Sequence, residues 1–211
     1  MNQGYFDSRF AFDPRRAIVW KTLCEAYFQK LVTPTACVLE LGPGYGDFIN
    51  NIRCARRIAV DSWEGTVNCL DPGVFVRVGS VTDLSFVEDD TIDFAFASNL
   101  FEHLTQAEFA ATLEQLREKI RDGGTLNILQ PNYRLSYPHY FDDYTHISVY
   151  SDRSLCDFLQ NHGFSVIQCL PRFLPFSIRT RFPVWPVLIR VYLLSPFKPF
   201  AGQMFVRCAP H

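Results

Sequence analysis

Cys37-Val-Leu-Glu-Leu-Gly-Pro-Gly-Tyr-Gly-Asp47 sets three glycines within five positions directly after a short apolar run. Such a run, stopped by glycine, reads as a buried strand, and Asp47 to Cys54 can start a helix behind the turn. The stretch is thus a strand, a tight turn and a helix, the unit from which parallel sheets are built.

On its N-terminal side, Ala17, Ile18, Trp20, Leu23, Cys24, Tyr27 and Phe28 fall at helical spacing between Pro14 and Lys30, with Asp13 as N-cap and Pro14 at the first helical position. On its C-terminal side, strands are predicted over Arg57–Asp61, Val74–Val78, Thr91–Ala97, Thr125–Leu129, Phe164–Leu170 and Met204–Cys208. Between them, an amphipathic helix runs from Thr105 to Ile120, closed by Asp122-Gly-Gly124. Ser151 caps another that ends at His162 before Gly163. Buried strands alternating with helices describe an α/β fold, a doubly wound sheet covered on both faces, with its site at the carboxyl ends of the strands.

The glycine turn limits the ligand. A dinucleotide fingerprint needs glycine at position 47, where Asp47 stands, and an acid at a helix start repels a pyrophosphate. No Gly-Lys-Ser/Thr follows, so the Walker pattern is absent as well. A nucleoside without phosphates fits better, with Asp61, about 20 residues past the first glycine, accepting hydrogen bonds from ribose hydroxyls.

Val38-Leu-Glu-Leu-Gly-Pro-Gly-Tyr-Gly46, Ile58-Ala-Val-Asp61 and Phe94-Ala-Phe-Ala-Ser-Asn-Leu-Phe-Glu-His-Leu104, in that order, resemble three motifs of the class I S-adenosylmethionine-dependent methyltransferases. The resemblance implies a Rossmann-like sheet of seven strands, mostly parallel with the last antiparallel. It implies S-adenosylmethionine as cofactor, with Glu40, Gly42, Gly44 and Gly46 around its methionine part and Asp61 with Ser62 at the ribose. Ser80, Val81 and Thr82 would flank the adenine, and Asn99 and Leu100 would floor the sulfonium. One departure is that Ser80 stands where such enzymes commonly carry an acid for the adenine amino group, leaving Thr82 or Asp83 as substitutes.

Three segments follow from this reading: residues 1–35 as an N-terminal lid helix region, 36–170 as the cofactor-binding core with an acceptor insert at 131–150, and 171–211 as a basic, aromatic tail carrying the final strand. The insert is dense in groups that read hydroxyls. His146 is the expected base with Asp143 orienting it, and His103 is the second candidate. Arg9, Arg16, Tyr45, Asn132, Tyr133, Tyr140 and Asp142 are expected to contact the acceptor, the tyrosines by stacking and the arginines by meeting a phosphate or carboxylate. Asp142, Asp143 and His146 resemble a hard-ligand cluster, but adjacent acids rarely chelate unaided, so no metal is expected. The insert and the tail together resemble bacterial methyltransferases linked to surface polysaccharide assembly, which implies O-methylation of a sugar hydroxyl on a glycan or glycan precursor. Methylation of a small phenolic or lipid metabolite, and a non-catalytic cofactor-binding module, stay open beside it.

Composition bounds the rest. The 211 residues carry a net charge of −2, but every one of the six charged residues after Pro171 is basic, so the tail holds +6 and the body −8. No nucleic-acid partner is expected, while a basic, aromatic tail suits peripheral contact with an anionic membrane. Seven cysteines without a CxxC pair suit free thiols in a reducing compartment, and the opening Met1–Phe10 lacks the basic start and apolar stretch of a secretory signal. A cytoplasmic protein is expected, peripheral at the inner face of the membrane through its tail.

Overall fold

The computed structural model describes residues 13–175 and 184–211. Asp13 caps the first described helix, α1 (Pro14–Ala26), by accepting the Arg15 N–H at 2.9 Å. The helical spacing continues to Lys30, but the α-helix stops at Ala26 and a 3-10 turn covers Phe28–Lys30.

Seven strands follow: β1 (Cys37–Leu41), β2 (Arg56–Asp61), β3 (Val74–Val78), β4 (Ile92–Ser98), β5 (Ile120–Pro131), β6 (Phe164–Pro175) and β7 (Ala201–Pro210). They form one sheet in the order β3-β2-β1-β4-β5-β7-β6. The first five are parallel wherever they pair, and β7 runs antiparallel to both β5 and β6, as the resemblance implies. The order reverses between β1 and β4, which opens a crevice at their carboxyl ends.

The helices α2 (Gln106–Lys119), α3 (Tyr133–Ser136), α4 (Asp152–Asn161) and α5 (Pro186–Leu194) complete the described fold. Alternation along β4 sets the two faces: Ala95 and Ala97 leave room for Leu113 and Leu116 of α2 and Leu155 of α4, while Phe94 and Phe96 meet Trp20 and Leu23 of α1 on the other side. Ile189 and Tyr192 of α5 pack on that second face, and Arg190 bonds Glu25 of α1 at 2.8 Å. No helix among the described residues is long and apolar enough to cross a membrane.

Two expectations are corrected. Residues 44–51 form successive turns where a helix from Asp47 was predicted. Its ladder is interrupted because the Ile49 N–H donates to the Glu40 carboxylate at 2.9 Å, so a buried side chain takes the bond a helical carbonyl would have received. Asp122-Gly-Gly124 does not cap α2 either. The carbonyls of Glu118 and Lys119 are taken by the N–H groups of Asp90 and Thr91, and the chain enters β5 at Ile120, bulging before Thr125 pairs with Phe94.

Phe28, fully buried, is the hub of the aromatic face, with rings of Trp20, Tyr27, Phe48, Phe96, Phe173 and Phe205 within 6.4 Å of its own. Phe28→Ala should cost about 3–5 kcal/mol in equilibrium denaturation, and Phe28→Leu distinctly less. Equal, small losses from both would show that this face is loosely packed.

Candidate functional site

A cavity of about 360 Å³ opens where β1 and β4 diverge. Its floor is the glycine turn after β1. Gly42 (φ +68°) and Gly46 (φ +76°) need glycine for their backbone, and a Cβ there would press on the side-chain ends of Leu100 at 3.1 Å and of Asn50 and Leu70 at 2.6 Å. The Gly44 N–H donates to Asp61 Oδ2 at 2.9 Å, and its carbonyl accepts the Thr66 hydroxyl at 2.8 Å. The other Asp61 oxygen accepts the Trp63 N–H at 2.8 Å. The end of β2 therefore holds the turn in place from beside it.

Glu40, Asp47 and Asp61 make the lining acidic. Burial pushes the Glu40 carboxyl well above its usual range against the Ile49 N–H, and Asp47 and Asp61 add repulsion. Burial raises Asp61 as well, opposed by the Trp63 and Gly44 N–H groups. Arg16 of α1 answers Asp47 with its Nε at 2.9 Å from Oδ2, and Trp20 adds an aromatic wall.

Of the residues singled out in the sequence, Glu40, Gly42, Gly44, Asp61, Ser62, Ser80, Val81, Asn99, Leu100, Arg16 and His103 line this one cavity. Gly46 belongs to the turn but is not among the residues that line the cavity. Thr82 and Asp83 bond within their own loop, Thr82 to Ser80 at 2.8 Å and Asp83 to the Ser85 N–H at 3.1 Å. Asn99 takes a left-handed backbone (φ 49°), and its side-chain oxygen accepts from Gln203 of β7 at 3.1 Å.

The insert stands behind His103. Tyr140 is buried and donates its hydroxyl to the Ser148 carbonyl; Tyr133 packs edge-on against it at 5.2 Å. Asn132 is buried too, donating to Asp152 at 2.9 Å, while Asp142 pairs with His139 at the surface and Tyr45 packs on Trp63. None of these five lines the cavity among the described residues, and Arg9 lies outside the described residues.

Asp143 accepts the Thr145 hydroxyl at 2.6 Å and its N–H at 3.0 Å, and the same hydroxyl lies 2.9 Å from His103 Nδ1. Burial pushes Asp143 up, but Thr145 and the two imidazoles hold it below the ordinary range. Burial, with His146 beside it, lowers His103 to about 4, so its ring is neutral at neutral pH. His146 Nδ1 is 2.7 Å from the Tyr140 carbonyl, and its ring centroid is 4.8 Å from that of His103. Sequence reasoning missed Thr145: a loop hydroxyl carries no periodic signal, and only the motif around His103 marks the place.

The methyltransferase domain family matches residues 15–169. Among solved structures, a SAM-dependent methyltransferase from Archaeoglobus fulgidus superposes with a TM-score of 0.71 at 19% identity, covering 98% of this chain and 99% of that one. One from Thermotoga maritima gives 0.63 at 19% identity, over 98% of this chain and 93% of its own. The geranyl diphosphate C-methyltransferase from Streptomyces coelicolor A3(2), solved with Mg2+, geranyl diphosphate and S-adenosyl-L-homocysteine, gives 0.62 at 11% identity, over 89% and 77%. At these identities the likeness is one of fold. No curated protein matches the chain.

Thr66 is fully buried and ties Gly44 to the segment after β2. Thr66→Val keeps the shape but strands a carbonyl, and should lower unfolding free energy by about 1–3 kcal/mol. A loss within error would show that the turn is held by Asp61 alone.

Proposed function

The chain belongs to the methyltransferase domain family, and from that premise we propose that it O-methylates a sugar hydroxyl of a glycan or glycan precursor. It is an S-adenosylmethionine-dependent methyltransferase; the proposal concerns how the cavity is divided between cofactor and acceptor. When bound, the cofactor supplies a methyl group on a positively charged sulfur.

The acid lining supports the division on charge, because Glu40, Asp47 and Asp61 suit a cationic ligand without phosphates. In this reading Glu40, Gly42 and Gly44 hold the methionine part, with Gly46 shaping the turn. Asp61 and Ser62 take the ribose, Ser80 and Val81 flank the adenine with Thr82 behind them, and Asn99 and Leu100 form the floor beneath the sulfur. Arg16 and Trp20 close the cavity from α1.

The observation that carries oxygen as the acceptor atom is the line His103–Thr145–Asp143, which meets the cavity at His103. A hydroxyl needs help losing its proton, and a neutral imidazole whose Nδ1 is tied to Thr145 keeps its other nitrogen for that task. Of the two imidazoles His103, not the expected His146, lines the cavity, so His103 is the base in this reading; Asp143 orients it through the Thr145 hydroxyl, and the His146 ring packs beside it. Tyr137 and Tyr144 of the insert, both exposed, offer faces for a pyranose.

The tail supports a place at an anionic membrane, on its cytoplasmic side. Trp185, which caps the start of α5, and Leu194, Phe197 and Phe200 at and after its end are 57%, 81%, 76% and 92% exposed, in a segment without an acid. Sedimentation with phosphatidylglycerol vesicles should exceed that with phosphatidylcholine vesicles, and Trp185→Ser with Phe200→Ser should abolish the difference.

Two further outcomes test the site. A cationic donor favours ionised Glu40 and Asp61, whose carboxyls are raised in the free protein, so binding releases protons and tightens as pH rises through their raised range. Calorimetry in buffers of different protonation enthalpy reads this directly; proton uptake would contradict it. His103→Ala should lower kcat for a hydroxyl acceptor by roughly 10²–10⁴ while leaving cofactor affinity intact. A panel of nucleotide sugars, oligosaccharides, phenols and lipids assayed for methyl transfer decides the class, and turnover confined to phenols or lipids would replace the glycan reading.

A further inference from the structure

Glu102 is fully buried, and neither carboxylate oxygen has a hydrogen-bond partner among the described residues. Such a group is costly to leave alone, and native structures rarely do so. A bare imidazole acting on the acceptor gives this carboxylate nothing to bind.

Its neighbours are His103 and His146, and one ligand atom from each of the three lies within 4.8 Å of the others. Both imidazoles are held through Nδ1, His103 at 3.2 Å from the Thr145 carbonyl and His146 at 2.7 Å from that of Tyr140. A carbonyl on Nδ1 fixes the proton there and makes Nε2 the nitrogen that would ligate, the outer support typical of metal-binding histidines. The two chain segments are stitched together: the N–H groups of Ile147 and Ser148 donate to the Glu102 carbonyl at 2.9 and 3.1 Å, and the Ser148 hydroxyl to Leu104 at 2.6 Å.

We infer that Glu102, His103 and His146 bind one divalent first-row transition-metal ion at the acceptor end of the cavity. Two imidazoles and a carboxylate form a mixed N/O set suited to zinc or iron(II) rather than calcium or magnesium, and three protein ligands leave positions open for an oxygen of the acceptor. In a tetrahedral site with arms of about 2.1 Å, ligand atoms sit roughly 3.4 Å apart, so atoms now within 4.8 Å of one another need to close by at most about 1.4 Å. With its Nε2 on the ion, His103 would no longer take the acceptor's proton itself; the ion, held where His103 reaches the cavity, would polarise the bound hydroxyl in place of the bare imidazole. Binding stands on the cluster alone; this use of the ion rests on the acceptor reading above. It also departs from the grouping visible in the sequence, Asp142, Asp143 and His146: Asp142 pairs with His139 at the surface, and Glu102 supplies the carboxylate.

The test is to strip the full chain with a chelator and titrate it with Co2+, following visible d–d absorption, and with Zn2+ by calorimetry. One equivalent should bind, without the sulfur-to-cobalt charge-transfer band that any of the seven free cysteines would give. Glu102→Gln and His146→Asn should each weaken binding by about 10- to 100-fold, while S-adenosylmethionine affinity, measured in parallel, shows that both variants are folded. No binding, a thiolate band, or unchanged affinity in both variants overturns the site. If His103-dependent methyl transfer survives in the chelated enzyme, the ion's use is overturned and the methyltransferase reading stands. If the ion binds as expected but no hydroxyl acceptor is methylated, the site stands and the acceptor reading falls.

Discussion

Two buried carboxylates at neighbouring strand ends hold the fold and the cavity in one arrangement. Asp61, at the end of β2, accepts N–H groups from Gly44 and Trp63, and Glu40, within β1, accepts the N–H of Ile49. Each carboxylate is removed from water and held by main-chain donors, so the glycine turn is shaped by side chains as much as by its own glycines. The same burial raises both carboxyls, which makes them responsive to a positive ligand. Structure and electrostatics here are one set of bonds.

The sheet supports that arrangement asymmetrically. Alanines at 95 and 97 bring α2 close on one face, and phenylalanines at 94 and 96 build an aromatic layer under α1 on the other. The aromatic layer also carries Trp20, which lines the cavity, so packing around Phe28 fixes one wall of the site. The side around His103 is anchored differently, through the N–H groups of Ile147 and Ser148 on the Glu102 carbonyl and the Ser148 hydroxyl on that of Leu104.

Much of this was legible in the sequence wherever one physical signal acts alone. Asp13, Thr105 and Ser151 cap helices as their residue types demand, and the strand-end turns gather Glu40, Gly42, Asp61, Ser80 and Asn99 because parallel topology brings strand ends together. The turn after Gly46 was not legible as non-helical, since its interruption comes from Glu40, a residue in another element. Within 131–150, aromatic and polar residues look alike whether they face core or solvent: Tyr140 is buried while Tyr144 is 69% exposed, and no periodicity separates them. Glu102 reads as an ordinary helix-start acid until the fold lays His146 against it.

The position of β7 has a consequence for how the molecule is made. It lies between β5 and β6, which do not pair with each other, and its register joins Leu126 to Cys208 and Val166 to that same residue. A nascent chain leaving the ribosome therefore carries β6 without its sheet partner until residues 201–210 emerge. Closure of the sheet is a late, long-range event, and the stretch before it is where a chaperone would find apolar edge to hold.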